Sequence, residues 1–263
     1  MCFTRCTSSR FGVYYKQNNF SGSAAGLGTD NIMEFFANEN KQVNITASTG
    51  EYARCAIKTH FVQLGENYCD LVRQYVLPIW KEGDILSISE KIVSLCQKRV
   101  VYKKDMKLSR LAKFLSRFAS HSDAGIGVDS VWKMQFAIDH CGALKIIYAS
   151  IAAGFGKLFG KRGVFYDIAG DEVRGLDGFY DHCFDEYGNY GIRLPENPSA
   201  VCDEIERETG VACMIVDAND FTRDILGKSS SLSYTDEELA DMIRDNPAGQ
   251  STQLTPMVLI RKI

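Results

Sequence analysis

No two of the nine cysteines in this chain are spaced as Cys-x-x-Cys, and the number is odd. A scattered, odd set excludes a disulfide framework and points to reduced thiols in a reducing compartment. Histidine is scarce: His60, His121, His140 and His182 lie far apart. The adjacent pairs His140-Cys141 and His182-Cys183 lack ligand spacing, which argues against a zinc site. No Gly-x-Ser-x-Gly occurs, so the nucleophile elbow of the serine hydrolases is missing, and His121 has no evident nucleophile to serve. No apolar run reaches membrane-spanning length. The opening MCFTRCTSSRFGVYY carries no apolar core of a signal peptide. Charge of one sign is also lacking, since the formal net charge is only -3. That balance gives no sign of a nucleic-acid or membrane partner, and local basic clusters would have to carry such a claim. The expectation is a cytoplasmic protein.

What is present is ordinary globular composition, 45% hydrophobic and 24% charged over 263 residues, enough for one large domain or two modest ones. Residues 1–42 are rich in Ser, Gly and Asn with Phe35 and Phe36 as isolated apolar anchors, and read as an N-terminal arm. Residues 43–263 carry the regular patterns of a domain. Tyr52–Val62 alternates as a strand, and Gly65 precedes a helix with Tyr68, Leu71, Val72, Tyr75 and Val76 on one face, stopped by Pro78. Glu82-Gly83-Asp84 is a turn, Ile85–Ile88 a short strand and Glu90–Cys96 a helix. Asp105–Ala119 has the stripe of one amphipathic helix, its basic residues on the solvent side. A glycine-rich loop, His121–Ser130, leads to a helix through Trp132, Met134 and Ile138. Ala143–Gly170 joins an apolar run, Ile146–Ala153, to three glycines, and Gly163–Ile168 reads as a strand. Residues 171–195 are rich in turns and tyrosine, as in a loop or edge hairpin. Asn197-Pro198 opens a helix that Gly210 closes. Val211–Val216 is a short β-branched run typical of a buried strand. Thr235–Glu238 is a capping box, and Met257–Ile260 is a further strand. Irregular alternation of strands and helices indicates α/β or mixed α+β, with a mixed sheet flanked by helices.

The chemistry concentrates where apolar runs end. Asp217 closes the Val211–Val216 strand and Asn219 and Asp220 follow; they either cap a helix or hold a hard cation or polar ligand at a sheet rim. Three loops set small residues beside oxygen-bearing side chains: Gly125–Ser130, Asp217–Asp220 and Gly249–Gln253. Glycine lets backbone N–H groups approach a phosphate, and carboxylates hold a magnesium-type ion against it. Two motifs fall short. Thr222–Ser229 (TRDILGKS) has Thr where a P-loop has its first glycine, and Gly227 is read as a helix C-cap. Gly154, Gly156 and Gly160 are one residue off the dinucleotide fingerprint and are read as a turn.

Five blocks in order, KTHFVQLGEN, PIWKEGDILSISEKIVSLCQKR, DAGIGVDS, IVDANDFTRDILGKSS and NPAGQSTQLTPMVLIR, resemble successive blocks of the coenzyme F-420 γ-glutamyl ligase family. The likeness spans about Val43 to Arg261 and is greatest to divergent, ligase-like members. It implies that family's mixed α/β fold, a homodimer, and a GTP-dependent ligase using Mg²⁺ or Mn²⁺. The implied reaction phosphorylates a small carboxylate and lets an amine attack the acyl phosphate. By resemblance, Lys58–Leu64 falls on a nucleotide loop, with Lys58, Thr59, His60 and Leu64 as its contacts. Glu90 and Lys91 form a second nucleotide-contacting pair. Gly249, Ser251 and Gln253 fall on the last phosphate loop. Asp217 falls on the metal-binding aspartate. Gln250 stands where the family has an acidic residue, and Gly127 where it has an aspartate, for which Asp129 is the candidate substitute. Leu95 replaces a common lysine. Fewer anionic oxygens weaken a two-metal site, so the alternative is a catalytically silent nucleotide- or metabolite-binding protein on the same fold.

Overall fold

The computed structural model describes residues 35–119, 127–179, 185–218, 223–249 and 253–263. Among the described residues the first elements are β1 (Asn44–Ala47), β2 (Gly50–Ile57), α1 (Tyr68–Tyr75), β3 (Ile85–Ser89), α2 (Glu90–Cys96) and β4 (Val100–Tyr102). A helical stretch follows: α3 (Arg110–Leu115), α4 (Val131–Cys141), α5 (Ala143–Leu158), α6 (Val164–Ala169) and α7 (Asp171–Arg174). Then come β5 (Asp177–Gly178), β6 (Tyr190–Ile192), α8 (Pro198–Thr209), β7 (Cys213–Ala218), β8 (Arg223–Lys228), α9 (Asp236–Met242) and β9 (Met257–Lys262). The architecture is mixed α/β. A six-stranded mixed sheet has the order β1-β2-β9-β3-β7-β8, and a small antiparallel sheet the order β4-β6-β5.

The large sheet is antiparallel except where β3 and β7 run side by side in parallel. Parallel strands buried on both faces need continuous apolar runs, and ILSIS and CMIVDA come close to that. Alternation along β9 and β7 divides the core. Met257, Leu259, Cys213 and Ile215 face α1, α2 and α8, while Val258, Ile260, Met214 and Val216 face α9. A separate core gathers Met134, Phe136, Ala137, Ile146, Ala149 and Phe165 from α4, α5 and α6.

Several elements follow their sequence signals closely. Thr235 accepts from the Glu238 N–H at 3.2 Å while Glu238 accepts from the Thr235 N–H at 2.8 Å, a complete capping box. Gly210 ends α8 at φ +79°, a left-handed position suited to glycine. Others depart from expectation. Gly163–Ile168 is not a strand, because Val164–Ala169 is helical and turns Phe165 and Ala169 inward one turn apart. Asp105–Ala119 is not one helix. Ser109, accepting from the Ala112 N–H at 3.0 Å, starts α3 late, after an extended Met106. Ala143–Leu158 is one continuous helix despite Gly154 and Gly156.

TRDILGKS is no helix end either: Arg223–Lys228 is a strand paired with β7, and Gly227 lies within it. The first turn of α8 crosses so closely there that a Cβ on Gly227 would sit 2.6 Å from the Pro198 carbonyl carbon. Asn197 occupies the N-cap position of α8 but its side chain makes no capping bond. The segment 35–42, read from sequence as the end of the arm, packs on the domain. Phe35 lies against the core and the Arg261 guanidinium stands 4.8 Å from its ring centroid. The rest of the arm lies outside the described residues. Gly227→Ala is expected to lower stability by about 1–3 kcal/mol through overpacking against backbone that cannot yield. Urea unfolding of the two forms measures it.

Candidate functional site at the sheet rim

One register row crosses the centre of the large sheet: Ile57 on β2, Met257 on β9, Ile88 on β3 and Ile215 on β7. Just beyond that row β2, β3 and β7 deliver their C-terminal ends and β9 its N-terminal end. Segments singled out in the sequence therefore leave the sheet at one rim: Lys58–Leu64, Gln253–Pro256 of the last loop, Glu90-Lys91 and Asp217. With neighbouring strands roughly 4.8 Å apart, β2 and β7 are about 15 Å apart at this rim, the width of a small-molecule cleft. Open α/β sheets bind ligands beyond such carboxyl ends.

The first two segments are laced together. The Thr59 N–H donates to the Leu254 carbonyl at 2.8 Å, and the Gly249 N–H to the Thr255 carbonyl at 2.9 Å. A Cβ on Gly249 would overlap the Thr255 hydroxyl and come within 2.8 Å of Gln253 Cβ, so the neck of this loop requires glycine. Thr255 Oγ1 donates to Asn38 Oδ1 at 3.0 Å, and Asn38 Nδ2 donates to the Pro247 carbonyl at 2.8 Å. Asn38, placed in the arm by sequence, thus braces the loop from behind. Lys58 is exposed and Thr59 buried. His60 turns to the outer wall, with Nδ1 2.6 Å from the Tyr75 hydroxyl and Nε2 2.9 Å from Glu66, and Leu64 is exposed beyond it. Gln253 is exposed, while Gln250 and Ser251 lie outside the described residues.

Glu90, Lys91 and Asp217 form the charged centre. Glu90 starts α2 and is buried; Lys91 Nζ stands 3.2 Å from its Oε1 and 2.9 Å from Asp177 Oδ2. Burial pushes the Glu90 carboxyl above its ordinary range; Lys91 opposes this, and the charges of Asp217 and Asp177 reinforce it. Asp217, paired with Asp224 across β7 and β8, is likewise raised by burial, against the pull of Lys91 and with Asp224 and Asp177 adding to the rise. Lys133 of α4 completes the cluster. Only 3% exposed, it donates to the Arg174 carbonyl at 3.0 Å and the Leu176 carbonyl at 2.7 Å. Burial lowers its pKa to about 8 against the attraction of Asp177, Asp217 and Asp129.

Sequence reasoning missed Lys133 and Asp177. Lys133 lies one helical turn before the buried Ala137, so a charge on an inward stripe was its only signal. Asp177 sits in a turn-like Leu-Asp-Gly. Asp129 is brought into the electrostatic reach of Lys133, and Gly127 lies in the same loop. Among the described residues no three His, Cys, Asp or Glu side chains converge as a metal-binding group. The described residues alone thus do not make up a coordination set, and Lys91 and Lys133 bring positive charge to the cluster. A buried carboxylate whose ionisation is penalised favours taking up a proton or an ammonium group. The lysines beside it favour a phosphate or carboxylate. The arrangement can therefore hold an anionic and a cationic ligand group side by side.

Comparison with protein-family models and with curated proteins finds no match to this chain.

The depressed Lys133 makes a signed pH prediction. Unfolded, this lysine keeps its proton up to about 10.5, whereas folded it yields it near 8. Between those values the unfolded state binds more protons, so folding gains stability as pH rises. Measured against Lys133→Met by urea unfolding at successive pH, wild-type stability should climb from about pH 8 towards 10.5 and stay level below pH 8.

Proposed function

We propose that this chain is a nucleotide-dependent ligase on a coenzyme F-420 γ-glutamyl ligase-like fold, joining a small carboxylate to an amine. The reading is carried by one observation: segments far apart in sequence, each implicated by resemblance, leave the sheet at one rim. The nucleotide, GTP by resemblance, lies along Lys58–Leu64 and Gly249–Gln253. The N–H groups of Thr59 and Gly249 already serve the loops themselves. Exposed Lys58 is then the phosphate contact of the first loop, and Gly249 contributes close approach. A substrate carboxylate oxygen attacks the terminal phosphorus, and the nucleoside diphosphate leaves. The amine then attacks the acyl carbon, the C–O bond to phosphate breaks, and the ammonium proton passes to the Asp217 or Glu90 carboxylate. Their raised pKa values suit that role. Lys91 and Lys133 offset charge on the transferred group. Mg²⁺ or Mn²⁺ is implied by resemblance through Asp217, Asp129 and Gln250. The described residues do not make up its coordination set, and no step is routed through it.

The same observation favours a second reading, a nucleotide- or metabolite-binding protein without turnover, since Lys91 already engages Glu90 and Asp177. Calorimetry with GTP and ATP, with and without Mn²⁺, and phosphate release with a panel of carboxylates and amines separate the two. Under the ligase reading, Asp217→Asn should cut phosphate release by about 100-fold, the scale of a lost general base, with little change in nucleotide affinity. Binding without turnover on every substrate pair selects the second reading. Binding of neither nucleotide under any metal condition removes the ligase reading and leaves only the metabolite-binding form of the second.

A further inference from the structure

The helix α5 is apolar on two opposite faces. Ile146 and Ala149 point into the core, which accounts for one of them. The other is a row at 4-3-4-3 spacing: Leu144, Tyr148, Ile151, Phe155 and Leu158, with relative exposures of 85%, 63%, 55%, 60% and 78%. Phe159, just past the helix end, is 80% exposed and extends the row. These residues fall within an arc of about 100° on a 3.6-residue helix, along a ridge of about 24 Å. Phe114 and Phe118 of the α3 turn are also exposed, their rings 5.0 Å apart, but Leu115 and Phe118 line an open cavity of about 830 Å³ with Ala153, Gly154 and Lys157, on the side of α5 away from the ridge. An exposed apolar area of this extent marks an interaction surface.

The charge around it selects the partner. From Ala143 to Tyr166 the chain carries Lys145, Lys157, Lys161 and Arg162 and no acidic residue. From Met106 to Ala119 it carries Lys107, Arg110, Lys113 and Arg117, again with no acidic residue. Lys113, Arg117, Lys145, Lys157, Lys161 and Arg162 are all exposed. A chain with a net charge of -3 has thus gathered cations around one apolar ridge. A second copy seated symmetrically on this face would set lysine against lysine, with no carboxylate on these segments to pair them. Apolar ridge, aromatic side chains and a basic border together match a helix lying in the interface of an anionic bilayer.

We propose that the outward ridge of α5, with the basic turn that follows it, docks this protein onto anionic phospholipid membranes. Phe155, Leu158 and Phe159 enter the acyl boundary while Lys161 and Arg162, exposed just past the helix end, meet lipid phosphates. At 16 residues α5 is too short to cross a hydrocarbon core of about 30 Å, and among the described residues no helix is long and apolar enough to do so. The contact is therefore parallel to the surface. Net charge left any membrane claim to local basic clusters, and the proposal rests on such a cluster. The proposal does not depend on the ligase reading, because the face lies outside the sheet-rim cluster.

The test is flotation of the full chain with vesicles of phosphatidylcholine alone or mixed with phosphatidylserine, at low and high salt. Wild type should float with the phosphatidylserine vesicles, less so at high salt, and stay behind with phosphatidylcholine. Phe155→Glu with Leu158→Glu, and separately Lys161→Glu with Arg162→Glu, should each weaken partition by about tenfold or more. All four side chains are exposed, so circular dichroism and the thermal midpoint should be unchanged and report intact folding. No partition to anionic vesicles, or equal partition to both kinds, overturns the proposal. So does a concentration-dependent dimer in sedimentation that Phe155→Glu with Leu158→Glu abolishes, which would make a second copy the occupant. A variant that misfolds is replaced by Phe155→Ser with Leu158→Ser, read in the same way.

Discussion

Lys91 joins two parts of the molecule that share no hydrophobic core. The residues buried around the large sheet and those buried among α4, α5 and α6 form separate sets, and between them runs a polar seam. Lys91 spans it, from Glu90 at the end of β3 to Asp177 of β5. A buried carboxylate without that partner would cost several kcal/mol or take up a proton, so Lys91 is what lets Glu90 keep charge in the seam. Further along, Glu172 pairs with Arg99 and Arg193, and Gln97 exchanges hydrogen bonds with the Glu196 backbone at 2.9 and 2.7 Å. Because the seam is polar, ionisable groups can collect there that neither core would admit. The candidate site is the part of the seam that reaches the sheet rim.

How far this was legible from sequence depends on the range of each cause. Local causes read well. The β3 strand and α2, the Thr235 capping box and the Gly210 helix stop each follow from a handful of adjacent residues. The Gly-Val-Phe-Tyr-Asp-Ile run was misread because six residues of mixed apolar character satisfy a strand and a helical turn equally. Gly227 misled for another reason: its glycine answers the close passage of Pro198 and Ser199, a tertiary contact with no local trace. The site was legible residue by residue at Glu90, Lys91 and Asp217. Their convergence was not, since it depends on β9 entering between β2 and β3. Lys133 escaped because a lysine in a helix is expected to face water, and only the burial of its neighbours shows otherwise.

The exposed ridge of α5 was hidden by the same arithmetic in reverse. Net charge averages the basic stretches with acidic ones elsewhere, such as Thr235–Glu238 and the Asp203–Glu208 side of α8. The sequence showed only an apolar run, Ile146–Ala153, and the fold separates inward Ile146 and Ala149 from outward Leu144, Tyr148, Ile151, Phe155 and Leu158. Secondary-structure pattern names the element; burial decides what the element is for.

The insertion of β9 also sets a timetable for the nascent chain. β2 and β3 leave the ribosome early, yet the strand that lies between them begins at Met257. At synthesis rates of about 5–20 residues per second, some 10–40 s pass between the emergence of Ile57 and that of its partner. During that interval the backbone N–H and C=O groups of β2 and β3 that β9 will satisfy lack their final partner, on strands whose side chains are largely apolar, and are open to pairing with neighbouring chains.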